Sequence, residues 1–388
     1  MYYRAVGDIP RKRHTLHRVD GAVCVEELVG EEGFSGPSSL LYHRGSPSAI
    51  VAIEPVEGAA GHEDVFEANQ PVTPYHLRTA QLTDGDLDAV LGRRRLLGNE
   101  DVVLACVTAT ATSDLYRDAV GDELVYVQAG EAVLESVFGR LPLRGGDYAV
   151  VPRGITHRWL VEGGGPVELL VLESRSHLAV PRRYLTATGQ LAEGAPYSER
   201  DLRGPDPEPL LADGGDVPVV VRTRAGLARH VHRDHPFDVV GWDGCVYPYA
   251  LSIHDFEPIV GRIHQPPPVH QTFAGAGFVV CSFVPRPYDF DPDAVKVPYH
   301  HANVDSDEVL YYSDGDFMSR AGSGIGVGSI SLHPAGFTHG PQPGSRERSE
   351  GEAAARELAV MVDTFRPLGI SAAARAIADP DYPWSWAR

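Results

Sequence analysis

The stretch SDEVLYYSDGDFMSRAGSGIGVGSISLHPAGFTHG (Ser306–Gly340) decides the fold, because the chain carries a second version of it. That version is GDELVYVQAGEAVLESVFGRLPLRGGDYAVVPRGITHRW (Gly121–Trp159). Each opens on Asp-Glu, runs through a hydrophobic strand and reaches a glycine: Glu123 to Gly130, and Glu308 to Gly315. Each closes on a glycine, a Pro-x-Gly and a histidine at matching spacing: Gly146, Pro152, Gly154 and His157, against Gly328, Pro334, Gly336 and His339. A period of about 185 residues is too long for a solenoid and predicts a duplicated domain.

The local chemistry is that of strands and tight turns. Glu308, Leu310 and Tyr312 alternate and share one strand face. The run SDGD supplies an Asp-Gly that tolerates positive φ. In HPAGFTH the proline and glycine bend the chain so that His339 enters the next segment. Elsewhere short β-branched runs alternate with Gly, Pro and Asp turns; Gly 41 and Pro 31 are both abundant. This spacing predicts a mostly β sandwich or barrel with few helices. Helix signals are confined to SEGEAAARELAVMV (Ser349–Val362), whose tail also reads as a strand, and to SAAARAIA near the end.

The two motifs resemble those of the cupin superfamily: His-x-His or His-x-Asn, then Glu and Gly, followed by Gly, Pro-x-Gly and His. In the second copy the matching residues are His301, Asn303, Glu308 and Gly315, then Gly328, Pro334, Gly336 and His339. The resemblance implies a mostly β fold of duplicated cupin (jelly-roll β-barrel) domains, a bicupin. Two histidines and one carboxylate form the facial triad of non-haem Fe(II) oxygenases, so His301, Glu308 and His339 are the expected metal ligands. Asp305 and Asp307 are alternative carboxylates. His300 alternates to the opposite face from His301. In the first copy Tyr116 and Asp118 stand where the second has His301 and Asn303, which leaves one His and one Glu and predicts a structural, metal-less copy.

Around the second copy, HPFDVVGWDGCVYPYALSIHDFEPI (His235–Ile259), RIHQPPPVH, VPYHHAN, SLHPAGFTHGPQPG and ELAVMVDTFRPL resemble the homogentisate 1,2-dioxygenase family. The similarity is good over about residues 236–368, weaker over 121–205 and thin before that. It implies opening of a 1,4-dihydroxybenzene ring bearing an acetate side chain, with Fe(II) as cofactor and O2 as co-substrate. Carried over position by position, it implies His264 as the catalytic base, with His270 as competitor. It implies Tyr299, His333, Arg320 and Phe317 in the substrate pocket. Phe317 stands where the family has a tyrosine, Arg320 where it has a lysine, and Ala302 where it has an arginine. The same ligand set serves ring cleavage of gentisate, hydroquinone or an aminophenol. A Zn or Mn isomerase or hydrolase, and a non-catalytic cupin, are the readings from other classes.

Domain limits are expected at residues 1–202 (repeat core 113–160), a Pro/Gly/Asp-rich linker over 203–230, and an iron-binding domain over 231–388. The net charge of −19 argues against a nucleic-acid or anionic-membrane partner. No apolar run approaches the ~18 residues of a membrane helix, and the N-terminus has no apolar signal core. Four scattered cysteines without a CxxC pair read as reduced thiols of a cytoplasmic protein. The family resemblance implies a homo-oligomer.

Overall fold

The computed structural model describes residues 2–32, 35–56, 65–82, 87–161 and 165–388. Strands dominate it as expected, arranged as a duplicated cupin. The first repeat lies between two sheets. An eight-stranded sheet has the order Leu202–Arg203, Tyr249–Ser252, Asp147–Val151, Glu123–Ala129, Val167–Ser174, Val102–Ala109, Arg94–Gly98, Gly369–Ile370. A seven-stranded sheet contains His157–Leu160 next to Leu115–Asp118 and ends in the strand Ile50–Pro55. The second repeat builds a six-stranded sheet ordered Gln271–Gly275, Phe278–Phe283, Leu358–Thr364, Asp307–Asp314, Ile330–His333, Tyr75–Leu77.

The eight- and six-stranded sheets pack on each other. Tyr126 and Tyr148 are fully buried, and their hydroxyls lie 2.6 Å from Ser313 Oγ and 2.9 Å from Ser282 Oγ across the junction. Their rings meet Tyr311 and Phe273 edge-on. Each hydroxyl is therefore satisfied where the ring is dry, which is what burying a tyrosine requires. Tyr126 faces this junction, so Glu123 and Val125, of opposite parity on the same strand, face into the N-terminal barrel. Both faces of Glu123–Ala129 are covered, and that explains its nearly continuous apolar sequence.

The expected linker over 203–230 is instead mostly strand. Gly215–Thr223 and Gly226–Asp234 form a hairpin in register Thr223↔Gly226, and Leu115–Asp118 pairs parallel to its first arm. The run VPVVVRT buries Val219, Val220 and Val221, which places it inside a sheet despite the Pro, Gly and Asp around it. The limit drawn at residue 231 also shifts. Val239–Gly244 pairs with Ser35–His43 in a sheet of N-terminal strands, and Tyr249–Ser252 pairs with Asp147–Val151 of the first repeat. In the other direction, Tyr75–Leu77 pairs with Ile330–Leu332 of the second.

The helix expected over Ser349–Val362 does not form: the short helix nearby ends at the first residue of that stretch. A five-residue helix spans Ser345–Ser349, Gly351 takes a φ of +88°, and the apolar tail becomes the strand Leu358–Thr364. That strand is hydrogen-bonded on both sides, to Phe278–Phe283 and to Asp307–Asp314, and the alanine-rich run before it is drawn into its own short ladder, Ala354–Ala355 against Arg286–Pro287. The terminal signal is a helix, Ala372–Ala376, whose Ala374 N–H donates to the capping Ser371 hydroxyl. No helix among the described residues is long and apolar enough to cross a membrane.

Candidate metal centre

Glu308 is the second residue of its strand and lies directly opposite His333 on one neighbour and Asp363 on the other. His301 and His339 come from the segments before and after. They pair through their backbones, His301 N–H to His339 O at 2.9 Å and His339 N–H to His301 O at 2.8 Å. The pairing sets the two imidazole rings 4.5 Å apart over Glu308. One nitrogen from each ring and one carboxylate oxygen all lie within 4.8 Å of one another.

The hydrogen bonds choose which nitrogen faces inward. His301 Nδ1 donates to the Tyr299 carbonyl at 3.2 Å and His339 Nδ1 to the Phe337 carbonyl at 3.0 Å. Both Nε2 atoms are then lone-pair atoms aimed at Glu308, 3.9 Å from Oε2 for His301 and 3.4 Å from Oε1 for His339. His339 Nε2 is buried and has no hydrogen-bond partner. A buried acceptor facing a carboxylate is costly by itself and is accounted for by a cation between them. Burial pushes Glu308 up, but the imidazoles gathered around it, with His333 hydrogen-bonded to Oε1 at 2.9 Å, outweigh it and hold the carboxyl well below its ordinary range. The donor set of two imidazoles and a carboxylate, with His301 partly exposed, fits a divalent metal with open positions. Asp305 and Asp307, the alternative carboxylates, are not part of this group; Asp307 accepts from the Ala335 and Leu368 N–H groups instead.

The expected pocket residues divide into three kinds. Tyr299 and His264 lie on the solvent side: His264 packs edge-on against Tyr299 at 5.2 Å, and Tyr299 against His301 at 5.8 Å. His270, the competing base, is buried on Phe283, and burial lowers its imidazole to about 3. Arg320 and Phe317 are buried around Tyr312. Arg320 donates to the Tyr312 hydroxyl at 3.0 Å and the Gly340 carbonyl at 2.7 Å, and Phe317 meets the Tyr312 ring edge-on at 4.9 Å. His333 corrects its expected substrate role. It is fully buried and stacked on His339, with Nδ1 2.9 Å from Glu308 Oε1 and Nε2 2.8 Å from the Tyr382 hydroxyl. Both ring nitrogens are engaged, so it holds Glu308 rather than a substrate.

Three residues escaped the sequence reading. Tyr382 completes the chain Glu308–His333–Tyr382, and Trp386 packs on Tyr382 and donates to the Gly340 carbonyl at 3.0 Å. Their signal was the aromatic tail DYPWSW, which follows no motif. Asp363 stands beside Glu308 on the same sheet face, and its Oδ1 is buried without a hydrogen-bond partner. Burial, then the charges of Glu308 and Asp305, raise its carboxyl to about 7.

Residues 42–253 match the family model for the homogentisate 1,2-dioxygenase N-terminal domain, so the family pattern extends through the region where resemblance had looked thin. The chain is 39% identical to a "Putative dioxygenase" of Saccharolobus solfataricus over 100% of its length and 99% of that protein. It is 26% identical to homogentisate 1,2-dioxygenase of Emericella nidulans, covering 86% of this chain and 78% of that one. For the Bradyrhizobium diazoefficiens homogentisate 1,2-dioxygenase the identity is 25%, over 72% of this chain and 64% of that one. A cupin 2 conserved barrel domain protein from Leptotrichia buccalis matches 75% of the chain at 10% identity, with a TM-score of 0.33. The chain is therefore a dioxygenase of the homogentisate 1,2-dioxygenase family.

Proposed function

We propose that this protein is an Fe(II)-dependent ring-cleaving dioxygenase that opens homogentisate with O2 to maleylacetoacetate, with iron held by His301, Glu308 and His339. The observation that carries the reading is the buried, unpartnered His339 Nε2 facing Glu308, in a chain of this dioxygenase family. Bound iron supplies coordination of the substrate's phenol oxygen and activation of O2. The protein's own residues orient and move protons. The carbonyls of Tyr299 and Phe337 hold the imidazoles in the Nδ1–H form, and His333 with Tyr382 pins the carboxylate. Tyr299 packs edge-on against His301 on the solvent side, and His264, edge-on against Tyr299, serves in this reading as the base that takes the phenol proton.

One observation favours a second substrate within the same reaction class. Two residues expected in the substrate pocket offer it no polar group: Arg320 is buried on Tyr312 and Gly340, and Phe317 has no hydroxyl. A ring with a different substituent, such as gentisate, hydroquinone or an aminophenol, fits that change. The test is oxygen uptake by protein loaded with Fe(II) under anaerobic conditions, on adding homogentisate and then each alternative, with H301A as control. Uptake requiring iron and His301 supports the reading, and the fastest substrate names the specificity. Uptake unaffected by H301A, or no uptake with any of these substrates, overturns it.

A further inference from the structure

The N-terminal barrel repeats the geometry of the candidate centre with a different occupant. Glu123 is the counterpart of Glu308 and His157 of His339, and Tyr116 pairs through its backbone with His157 as His301 does with His339. His157 Nδ1 donates to the Ile155 carbonyl at 3.0 Å, again two residues back. Its Nε2 faces Glu123 Oε2 at 3.9 Å, buried and without a hydrogen bond, as His339 Nε2 faces Glu308. The lone pair and the carboxylate of a metal site are thus both retained.

Arg93 fills this space. Its side chain is almost completely buried, and its fork reaches both oxygens of Glu123, with Nη2 3.1 Å from Oε2 and Nη1 bonded to Oε1. Nη1 also lies 3.1 Å from Glu173 Oε1, and Nε donates to the Ala89 carbonyl at 2.9 Å. The guanidinium sits 6.0 Å from the centre of the Tyr116 ring, the residue at the His301 position. Arg222 and Arg95 pair with the neighbouring Asp118 and Glu173, so the buried acids each have a cationic partner. A divalent ion added at Glu123 would meet a like charge within a few ångströms in a low-dielectric interior.

We propose that Arg93 is the resident cation of the N-terminal barrel: its guanidinium takes the place beside Glu123 that a metal takes beside Glu308, and it keeps that barrel free of divalent metal. This rests on reading His301, Glu308 and His339 as metal ligands. Removing the guanidinium unmasks a latent first-row metal site, and supplying the missing imidazole completes it.

The test uses full-length chain with Co2+ as probe, and counts cobalt retained after gel filtration together with its visible absorption. All variants carry H301A, so that the C-terminal site is out of the count. The difference between wild type and H301A alone reports on that site separately. Y116H with Arg93 retained has the full His/Glu/His set and is expected to hold no cobalt. Y116H with R93A is expected to hold about one equivalent and to show the absorption of imidazole-bound cobalt. Cobalt held by Y116H with Arg93 in place, or none held by folded Y116H/R93A, overturns the proposal. If R93A chains do not fold, urea unfolding of R93M, E123Q and the double variant decides it. Destabilisation by R93M that E123Q relieves supports the pairing, and simple addition of the two losses overturns it.

Discussion

Replacing His333 with phenylalanine separates two roles for the residue closest to Glu308. The ring is fully buried, stacked on His339 at 4.2 Å, and linked to Glu308 Oε1 at 2.9 Å and the Tyr382 hydroxyl at 2.8 Å. Phenylalanine keeps the flat ring and removes both hydrogen bonds. Each buried partner left unpaired costs about 1–3 kcal/mol, so with two such partners the metal-free protein should lose roughly 2–6 kcal/mol of stability. Loss of a group that orients a metal ligand typically lowers metal affinity by about 10–100-fold. The assay is urea unfolding of metal-free protein, paired with competition against a chromophoric chelator for Fe(II) or Co(II). Y382F removes only the outer partner and should cost about 1 kcal/mol, with a smaller loss of affinity. If H333F keeps metal affinity within about twofold and instead raises the substrate KM, the imidazole touches substrate and the structural assignment is wrong.

Other consequences follow from neighbouring features. His43 Nδ1 lies 2.6 Å from Asp238 and Nε2 3.0 Å from Glu27; burial lowers the imidazole, and these hydrogen bonds outweigh it and raise it to about 9. Because the folded value lies above the unfolded ~6.5, this stability is full below about pH 6.5 and is lost as pH rises through 9. Up to about 3 kcal/mol should disappear across that window, and H43Q should flatten the profile; a wild-type profile already flat from pH 6.5 to 9 contradicts it. R320L should destabilise the fold by roughly 3 kcal/mol through the lost bonds to Tyr312 and Gly340, measured by urea unfolding. A rise in KM at unchanged stability would instead return Arg320 to the substrate pocket. Gly315 has a φ of +105°, and an added Cβ would fall 2.1 Å from the Arg356 carbonyl oxygen. G315A should therefore cost at least about 3 kcal/mol, against about 1 kcal/mol for G154A, whose φ of +82° faces open space, with thermal unfolding as the comparison.

Much of the candidate centre was legible because its geometry is local. Gly315, Pro334 and Gly336 fix turns, and strand alternation puts Glu308 on one face, so short-range rules sufficed to bring out His301, Glu308 and His339. The repeat was legible for the same reason, since Glu123 and His157 keep their spacing when the metal pattern around them has changed. Roles set by burial were harder. His333 and Arg320 look like pocket residues from their place in the motif, but only packing shows that their polar atoms are committed to Glu308, Tyr382, Tyr312 and Gly340.

The amino-acid sequence by itself determined the β class, the duplication and the spacing of the three candidate ligands, all through turn chemistry and period-two alternation within about forty residues. Tertiary structure alone decided the rest, because strand partners far apart in the chain carry no local mark. It placed Gly215–Thr223 inside a sheet, moved Tyr249–Ser252 to the first repeat, and brought Tyr382 to His333. It also delivered Arg93, thirty residues upstream of Glu123, to the spot where the first barrel needs a cation. Nothing near Arg93 in the chain marks that role, since a buried charge is chosen by the carboxylates that the fold gathers around it.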